Sequence, residues 1–205
     1  MLIVINATEE QKKELLIKPV PDAIALRWWR KGDAVEAADA YFDLQFEDGE
    51  PAFTGVDEKP VFVHAVLTLS EKLPANFIRI NAWKGFLQRA VMEIAGREQA
   101  LEKAAAVLYA LQWKYQVVPD TPGMVAARVI AMIINEAYFG LGEELSSKQD
   151  IDTAMKLGTN YPYGPFEWSE QIGLQKIHAL LTRLNKSDTR YEVAPALSED
   201  LFKNQ

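Results

Sequence analysis

The sequence predicts a parallel α/β sheet domain followed by an all-α domain, and three observations lead to that class. Short apolar runs alternate with helical segments up to residue 119, a pattern typical of a parallel sheet covered by helices. From residue 120 onward the apolar residues recur three and four positions apart, which indicates helices alone. The 205 residues are 49% hydrophobic and 25% charged, so the chain can bury a core.

Residues 1–119 are expected to form the sheet domain. Six runs are predicted as strands: Leu2–Ile5, Ala23–Trp29, Tyr41–Phe46, Val61–Leu67, Phe77–Ile80 and Tyr115–Val118. Three helices are expected between them: one that Thr8 caps and that runs to Leu16, a short one over Asp33–Asp39, and one over Arg97–Trp113. Most of these connecting helices are short, so the predicted sheet domain is small.

Residues 120–186 are expected to form the helical domain, and residues 187–205 a surface tail. Thr121-Pro122-Gly123 suits a type II turn, with Pro and Gly at its two central positions. The predicted helices are Met124–Gly140, a helix that Ser147 caps and that stops at Gly158, Phe166–Ile172 and Leu174–Leu184. We expect a rigid loop at Tyr161–Pro165.

Several kinds of site are excluded by the composition. The chain has no cysteine, which removes thiol chemistry and cysteine metal sites. The two histidines, His64 and His178, are too far apart for a local histidine-based metal motif, so we expect no metal. The net charge is −7, and the one local group of basic residues is Arg27, Arg30 and Lys31. We therefore expect no nucleic-acid partner.

A membrane is not expected as a partner either. The longest helical apolar stretch, Met124–Ile134, is broken by Arg128 and is too short to span a bilayer. The first residues, Met1–Ile5, lack the basic start and the long apolar region of a signal peptide. These features predict a cytoplasmic protein.

The second half of the chain contains four motifs: Asp120-Thr121-Pro122-Gly123, Asn135-Glu136-Ala137, Asp150–Gly158 (DIDTAMKLG) and Tyr161–Glu167 (YPYGPFE). Together they resemble the helical C-terminal domain of the 3-hydroxyacyl-CoA dehydrogenase family. Turn and cap chemistry explains these residues equally well, so they indicate ancestry and fold and not catalysis. The resemblance extends more weakly to Ala38–Phe42 with Glu47-Asp48, which look like the fourth strand of the family's sheet domain. Phe77–Trp83 through Val91–Ile94 look like its last strand and the following loop.

The resemblance implies a reduced Rossmann-like sheet domain followed by a helical domain like the C-terminal domain of 6-phosphogluconate dehydrogenase. It also implies NAD as the cofactor and a homodimer formed through the helical domain. The helices from Met124 onward, with Tyr161, Tyr163 and Phe166, are the surface on which we expect a two-fold interface.

The residues that bind a dinucleotide are missing from this chain. Such a site needs a G-x-G-x-x-G turn after the first strand, whereas Leu2–Ile5 is followed by Asn6-Ala7-Thr8-Glu9-Glu10-Gln11. An acidic residue should end the second strand and hold the ribose, yet Trp28-Trp29-Arg30-Lys31 stand there. We therefore expect no cofactor.

Three of the four catalytic positions that the resemblance implies also depart from the family's pattern. With Glu93 placed at the orienting glutamate, Asn81 stands where the histidine base should be, and Ala127 replaces the asparagine. An asparagine amide cannot take a proton at neutral pH. The serine is missing near His64–Leu67, with Thr68 and Ser70 displaced from its place.

Three hypotheses follow. In the first, the chain is a catalytically inactive member of the family that acts in binding or assembly. It would hold an acyl-CoA-like ligand in the old interdomain cleft, or bind a catalytic partner. The second is an active NAD-dependent 3-hydroxyacyl-CoA dehydrogenase of fatty-acid metabolism. The third is a different reaction in the same cleft, with His64, Glu93 or Asp120 as acid or base.

Overall fold

The computed structural model describes residues 1–56 and 58–203. The chain divides into two compact units, Met1–Met124 and Val125–Gln205. The described strands of the first unit are β1 (Leu2–Asn6), β2 (Ala25–Trp29), β3 (Ala40–Asp43), β4 (Val61–His64), β5 (Phe77–Ile80), β6 (Val91–Gly96) and β7 (Lys114–Val117). Its helices are α1 (Glu9–Leu15) and α2 (Glu98–Ala110). The six predicted strands all form, with bounds shifted by a few residues.

The strands build one sheet in the order β2-β1-β3-β4-β5-β6-β7. Strands β5 and β6 are antiparallel, and the other neighbouring pairs are parallel. Strand β6 differs from the sequence prediction, which placed a loop over Val91–Ile94. Met92 and Ile94 alternate into the core while Val91 stays exposed, and this alternation is the signal of a strand with one buried face.

The sheet buries apolar residues on both faces. On one face, Ile78 and Ile80 pack with residues of α2 such as Leu108. On the other face, Val63 and Phe77 pack with residues of the connection between β3 and β4, such as Phe53. That connection contains no helix among its described residues, so this domain is a reduced version of a doubly wound sheet.

The short helix predicted over Asp33–Asp39 is not formed, and these residues are mostly exposed irregular chain. Here the hydroxyl of Tyr41 accepts a hydrogen bond from Ala38 N and donates one to Glu36 O, each at 2.9 Å. A backbone N–H and a backbone carbonyl of this segment are thereby bound by a side chain. These hydrogen bonds, which reach three and five positions back from Tyr41, compete with the local preference for a helix.

The second unit is helical as predicted. It contains α3 (Ala126–Gly142), α4 (Lys148–Thr159), α5 (Pro165–Ile172), α6 (Leu174–Asn185) and α7 (Pro195–Lys203). Ser147 caps α4 by accepting a hydrogen bond from Asp150 N. The helix runs one residue past Gly158, to Thr159, and Asn160 caps it with a left-handed φ of 56°.

The structure corrects the prediction that residues 187–205 form a surface tail. Most of its described part folds against the helices, because Leu197 and Leu201 of α7 are buried and Tyr191 is 4% exposed. The two leucines are four positions apart, so both lie on the inner face of one helix.

Within the described residues, no helix is long and apolar enough to cross a membrane.

Candidate functional site

Polar residues collect at one edge of the sheet. The parallel strands β1, β3 and β4 end there with Asn6, Asp43 and His64, and Asn81 directly follows β5. Because β6 runs the other way, its first residues, including Glu93, lie at the same edge. Open α/β sheets bind ligands at the carboxyl ends of their parallel strands, so this edge is the candidate site.

The turn from β1 into α1 is closed by its own side chains. Thr8 Oγ1 accepts a hydrogen bond from Gln11 N at 3.1 Å, and Gln11 Oε1 accepts one from Thr8 N at 2.9 Å. Glu9 and Glu10 occupy the first turn of the helix, and a hydrogen bond from Lys12 lowers the pKa of Glu9. These residues do not fit a dinucleotide pyrophosphate, which needs glycines and free backbone N–H groups in this turn.

The end of β2 is filled by aromatic packing. Trp29 Nε1 donates to Asp33 O at 3.1 Å, and the ring lies edge-on to Phe53 with the centroids 5.8 Å apart. The ammonium of Lys12 lies over the ring of Trp28, 5.2 Å from its centroid. Trp28 and Trp29 stand near the position where a ribose-binding carboxylate is expected. They therefore contribute to packing at this edge of the sheet.

The register of the sheet brings Asn81 and Glu93 to neighbouring positions. Ile80 pairs with Ile94, so Asn81 comes directly after this pair on one strand and Glu93 directly before it on the other. Asn81 is 8% exposed, and its Oδ1 accepts a hydrogen bond from Trp83 N at 2.9 Å. The side chain at the position where the family pattern has a histidine base is thus a buried amide.

His64 is held by the chain that follows β5. It is 1% exposed, and its Nδ1 accepts a hydrogen bond from Ala82 N at 3.1 Å. The ring nitrogen that accepts cannot carry a proton, so the neutral tautomer has its proton on Nε2. His64 is therefore held by the backbone that follows Asn81.

The loop after β4 contains a feature that the sequence analysis missed. Three consecutive backbone N–H groups, those of Val66, Leu67 and Thr68, donate to the carboxylate of Glu47 at 2.6 to 2.8 Å in their shortest contacts. An internal anion thus occupies the stretch where the sequence analysis looked for a serine. The partners lie about twenty positions apart in the chain, so no local pattern could reveal them.

A buried ion pair lies on the next strand. Arg79 is 0% exposed and pairs with Asp120, while its guanidinium also donates to Ala65 O and Val66 O at 3.0 Å. Asp120 accepts a hydrogen bond from Ser70 N at 3.1 Å. Asp120, which the sequence analysis considered as an acid or base, therefore serves to neutralise Arg79.

The turn that begins at Thr121 forms as predicted. Met124 N donates to Thr121 O at 3.1 Å, and Gly123 has a φ of 78°, as the third residue of a type II turn requires. Gly123 N donates to Val66 O at 2.8 Å, which ties this turn to the loop after β4.

The motif residues of the helical unit make structural contacts. Asn135 is 2% exposed, donates to Glu192 O at 2.8 Å and accepts from Ala194 N at 2.9 Å. Ala127 is fully buried in α3 and has no polar side-chain atom. Among the described residues, no group of three or more His, Cys, Asp or Glu is placed to hold a metal ion.

Comparison with known proteins agrees with the resemblance read from the motifs. A family model described as the C-terminal domain of 3-hydroxyacyl-CoA dehydrogenase matches residues 123–205. A 3-hydroxyadipyl-CoA dehydrogenase of Escherichia coli is 34% identical over 153 residues, which are 72% of this chain and 32% of that protein. A 3-hydroxybutyryl-CoA dehydrogenase of Clostridioides difficile is 38% identical over 90 residues, 43% of this chain and 32% of that protein. The matched regions span about a third of each of these relatives.

Solved structures share the architecture. A 3-hydroxybutyryl-CoA dehydrogenase of Escherichia coli superposes with a TM-score of 0.61 and 28% identity, covering 83% of this chain and 37% of that one. An (S)-3-hydroxybutyryl-CoA dehydrogenase of Ralstonia eutropha gives a TM-score of 0.74 over 99% of this chain and 94% of that one. Its identity is 17%, so it establishes the fold alone: a Rossmann-like sheet with a helical C-terminal domain.

Proposed function

We propose, from the premise that this chain belongs to the 3-hydroxyacyl-CoA dehydrogenase family, that it is a catalytically inactive member that binds an acyl-CoA-like ligand. The names of its relatives supply the ligand class, since they act on hydroxyacyl thioesters of coenzyme A. In this proposal the chain works by binding or assembly, without NAD, and its compartment is the cytoplasm.

One observation carries the proposal, the closed turn between β1 and α1. The reciprocal hydrogen bonds of Thr8 and Gln11 occupy the place where a dinucleotide would put its pyrophosphate. The carboxylates of Glu9 and Glu10 would lie beside two negative phosphate charges. A helix N-terminus attracts anions through free N–H groups and its dipole. Here the Thr8 side chain already binds the N–H of Gln11, and the carboxylates of Glu9 and Glu10 oppose the dipole.

The environment of Asn81 supports the same conclusion. Oxidation of a hydroxyl group requires a base that takes the hydroxyl proton as the hydride leaves. The amide of Asn81 does not titrate near neutral pH, and the neighbouring His64 uses Nδ1 to accept from Ala82 N. Neither the amide of Asn81 nor the Nδ1 atom of His64 can therefore act as the family's base would.

A thermal-shift titration with NAD, NADH and acetoacetyl-CoA tests the proposal. A ligand that binds the folded state stabilises it by RT ln(1 + [L]/Kd), about 2.7 kcal/mol at a concentration of 100 Kd. We expect a shift with acetoacetyl-CoA and none with NAD or NADH. A shift with either nucleotide, followed by turnover in an assay of NADH absorbance, would contradict the proposal.

The competing function is an active NAD-dependent dehydrogenase. The position of Glu93 beside Asn81 favours it, since a carboxylate at this edge could orient a base. It requires a proton acceptor that Asn81 cannot supply. The absorbance assay separates the two functions, because an active enzyme oxidises NADH with acetoacetyl-CoA and the proposed binding protein does not.

A homodimer through the helical domain is part of the proposal. Val125 and Val129, one turn apart at the start of α3, are 46% and 49% exposed, and Leu157 of α4 is 83% exposed. Exposed apolar side chains on helices favour association. We expect the mass of a dimer in light scattering after gel filtration, and Val129→Asp should shift it to that of a monomer.

A further inference from the structure

The sheet domain contains a cavity between the β3–β4 connection and the start of β5. Its volume is about 230 Å³. Doubly wound sheets carry helices on both faces, whereas the described part of this connection contains none. The cavity therefore lies where an irregular segment covers the sheet in place of a helix.

The walls of this cavity are mainly apolar. Phe46, Phe53 and Val56 of the connection line it together with Phe77, the first residue of β5. Phe53 is 1% exposed and Phe77 6%, and the ring of Phe46 lies edge-on to that of Phe77 with the centroids 5.9 Å apart. Aromatic rings arranged in this way favour a further ring in edge-on or offset contact.

Contacts within the chain hold the walls in place. Asn76 Nδ2 donates hydrogen bonds to Val56 O and Lys59 O, each at 2.7 Å, and so attaches the end of the connection to the turn before β5. The ring of Phe53 packs against Tyr41 with the centroids 5.0 Å apart. A ligand does not have to order these residues, which removes one of the costs of binding.

The volume limits the ligand to a small molecule. An apolar cavity of about 150 Å³ binds benzene, so this larger cavity has room for one aromatic ring with a short chain. It is smaller than the range of roughly 300–1,000 Å³ that is usual for sites of drug-sized ligands. A nucleotide or a coenzyme A thioester therefore does not fit inside it.

Lys72 determines the charge of the ligand. It is the one charged residue among the described residues that line the cavity, and it is exposed. Within the part of the chain that the structure describes, its ammonium forms no ion pair. A cation at the mouth of an apolar cavity attracts a ligand that joins an apolar body to an anionic group.

We infer that this cavity binds a small aromatic carboxylate, with its ring among Phe46, Phe53 and Phe77 and its carboxylate near Lys72. The inference goes beyond the proposed function and does not depend on it. Phe77 begins β5, whereas Asn81 follows the other end of that strand. The two sites can therefore be tested separately.

The test is an NMR titration of the isotope-labelled full chain with 3-phenylpropanoate. We expect a dissociation constant on the order of 1 mM, which is ordinary for so small a ligand, and the largest shifts at the amides of Thr54, Gly55 and Val56. Val56→Phe should abolish binding because the added ring fills the cavity, and its melting temperature should stay the same or rise. Val35→Phe is the matched control, because Val35 is 39% exposed and does not line the cavity, and it should bind as wild type does.

The role of Lys72 is tested with 3-phenylpropylamine, which has the same ring and the opposite charge. Wild type should prefer the carboxylate about threefold, the effect of one exposed ion pair. Lys72→Glu should reverse this preference, whereas Lys13→Glu makes the same change of charge at an exposed position of α1 and should keep it. A preference that is the same in both variants overturns the inference. So does the absence of shifts in wild type, binding that survives Val56→Phe, or shifts centred on Asn81 and His64.

Discussion

Asp152 of α4 caps the neighbouring helix α5 through the backbone of Phe166. Its Oδ1 accepts a hydrogen bond from Phe166 N at 2.8 Å, and its Oδ2 accepts one from Glu167 N at 3.2 Å. Asp152 is 8% exposed. The carboxylate of one motif therefore satisfies the free N–H groups at the start of the helix formed by the next motif.

We expect Asp152→Ala to destabilise the helical domain by about 1–2 kcal/mol, because it leaves the buried N–H of Phe166 and the part-buried N–H of Glu167 without an acceptor. Urea unfolding followed by circular dichroism measures the loss. Asp150→Ala is the comparison at an exposed position of the same helix, and it should cost less. An equal cost for both substitutions would contradict the capping role of Asp152.

The close approach of Asp152 to Gly164 predicts opposite effects for two glycine substitutions. A Cβ added at Gly164 would overlap the side chain of Asp152, whereas a Cβ at Gly158 meets nothing within 4 Å. Gly164→Ala should destabilise the protein by about 1–3 kcal/mol through overpacking. Gly158→Ala, in the last turn of α4, should stabilise it by about 0.5 kcal/mol. Melting temperatures that shift in the same direction would refute this pair.

The hydrogen bonds of Asn135 attach the C-terminal segment to α3. Its amide joins α3 to Glu192 O and Ala194 N, so Asn135→Ala should leave the buried N–H of Ala194 and the part-buried carbonyl of Glu192 unpaired and cost about 1–3 kcal/mol. Limited proteolysis should then release the segment that contains α7 earlier than in wild type. Glu136→Ala, at the exposed neighbouring position, serves as the control and should digest at the wild-type rate.

How far the sequence predicts this fold depends on whether a signal is local. The strands and most helices follow from apolar spacing and caps, as at Ser147. The α7 helix was missed although Leu197 and Leu201 have helical spacing, because the segment is short and polar elsewhere. The helix expected at Asp33–Asp39 is not formed, because Tyr41 binds the backbone three and five positions before it, and the spacing of apolar residues does not indicate these hydrogen bonds.

The candidate site is less predictable for the same reason. The positions of Asn81 and Glu93 follow from the resemblance and are brought together by the strand register. The contact of Glu47 with the loop after β4 and the pairing of Arg79 with Asp120 join residues 19 to 41 positions apart. Such contacts depend on the folded sheet, so composition and periodicity do not indicate them.

The pair of Arg79 and Asp120 predicts a large effect from a single truncation. Asp120→Ala leaves the guanidinium of Arg79 buried without its counter-charge, which should cost about 3 kcal/mol in urea unfolding. Lys31 and Glu50 form a comparison pair at 2.9 Å in which both side chains are more than 80% exposed. Glu50→Ala should leave the free energy of unfolding unchanged within error. A similarly small effect of Asp120→Ala would show that Arg79 does not need this partner.

Lys18 predicts an unusual dependence of stability on pH. It is 8% exposed, its ammonium donates to Leu87 O, and it lies 5.5 Å from the ring centroid of Trp113. Burial lowers the pKa of Lys18 from 10.5 to about 8. Between these two values the unfolded chain binds more protons than the folded one at this group. Stability from Lys18 therefore rises with pH across that window, and below it both states are protonated.

The difference in unfolding free energy between wild type and Lys18→Met isolates this contribution from the other groups that titrate at high pH. It should move in favour of wild type between pH 8 and pH 10 by at most about 1.4 kcal/mol per pH unit, the value for one proton. Lys13→Met is the control, because Lys13 is an exposed lysine of the preceding helix α1, and its difference from wild type should stay constant over the same range. A constant difference for Lys18→Met as well would mean that Lys18 keeps its ordinary pKa in the folded protein.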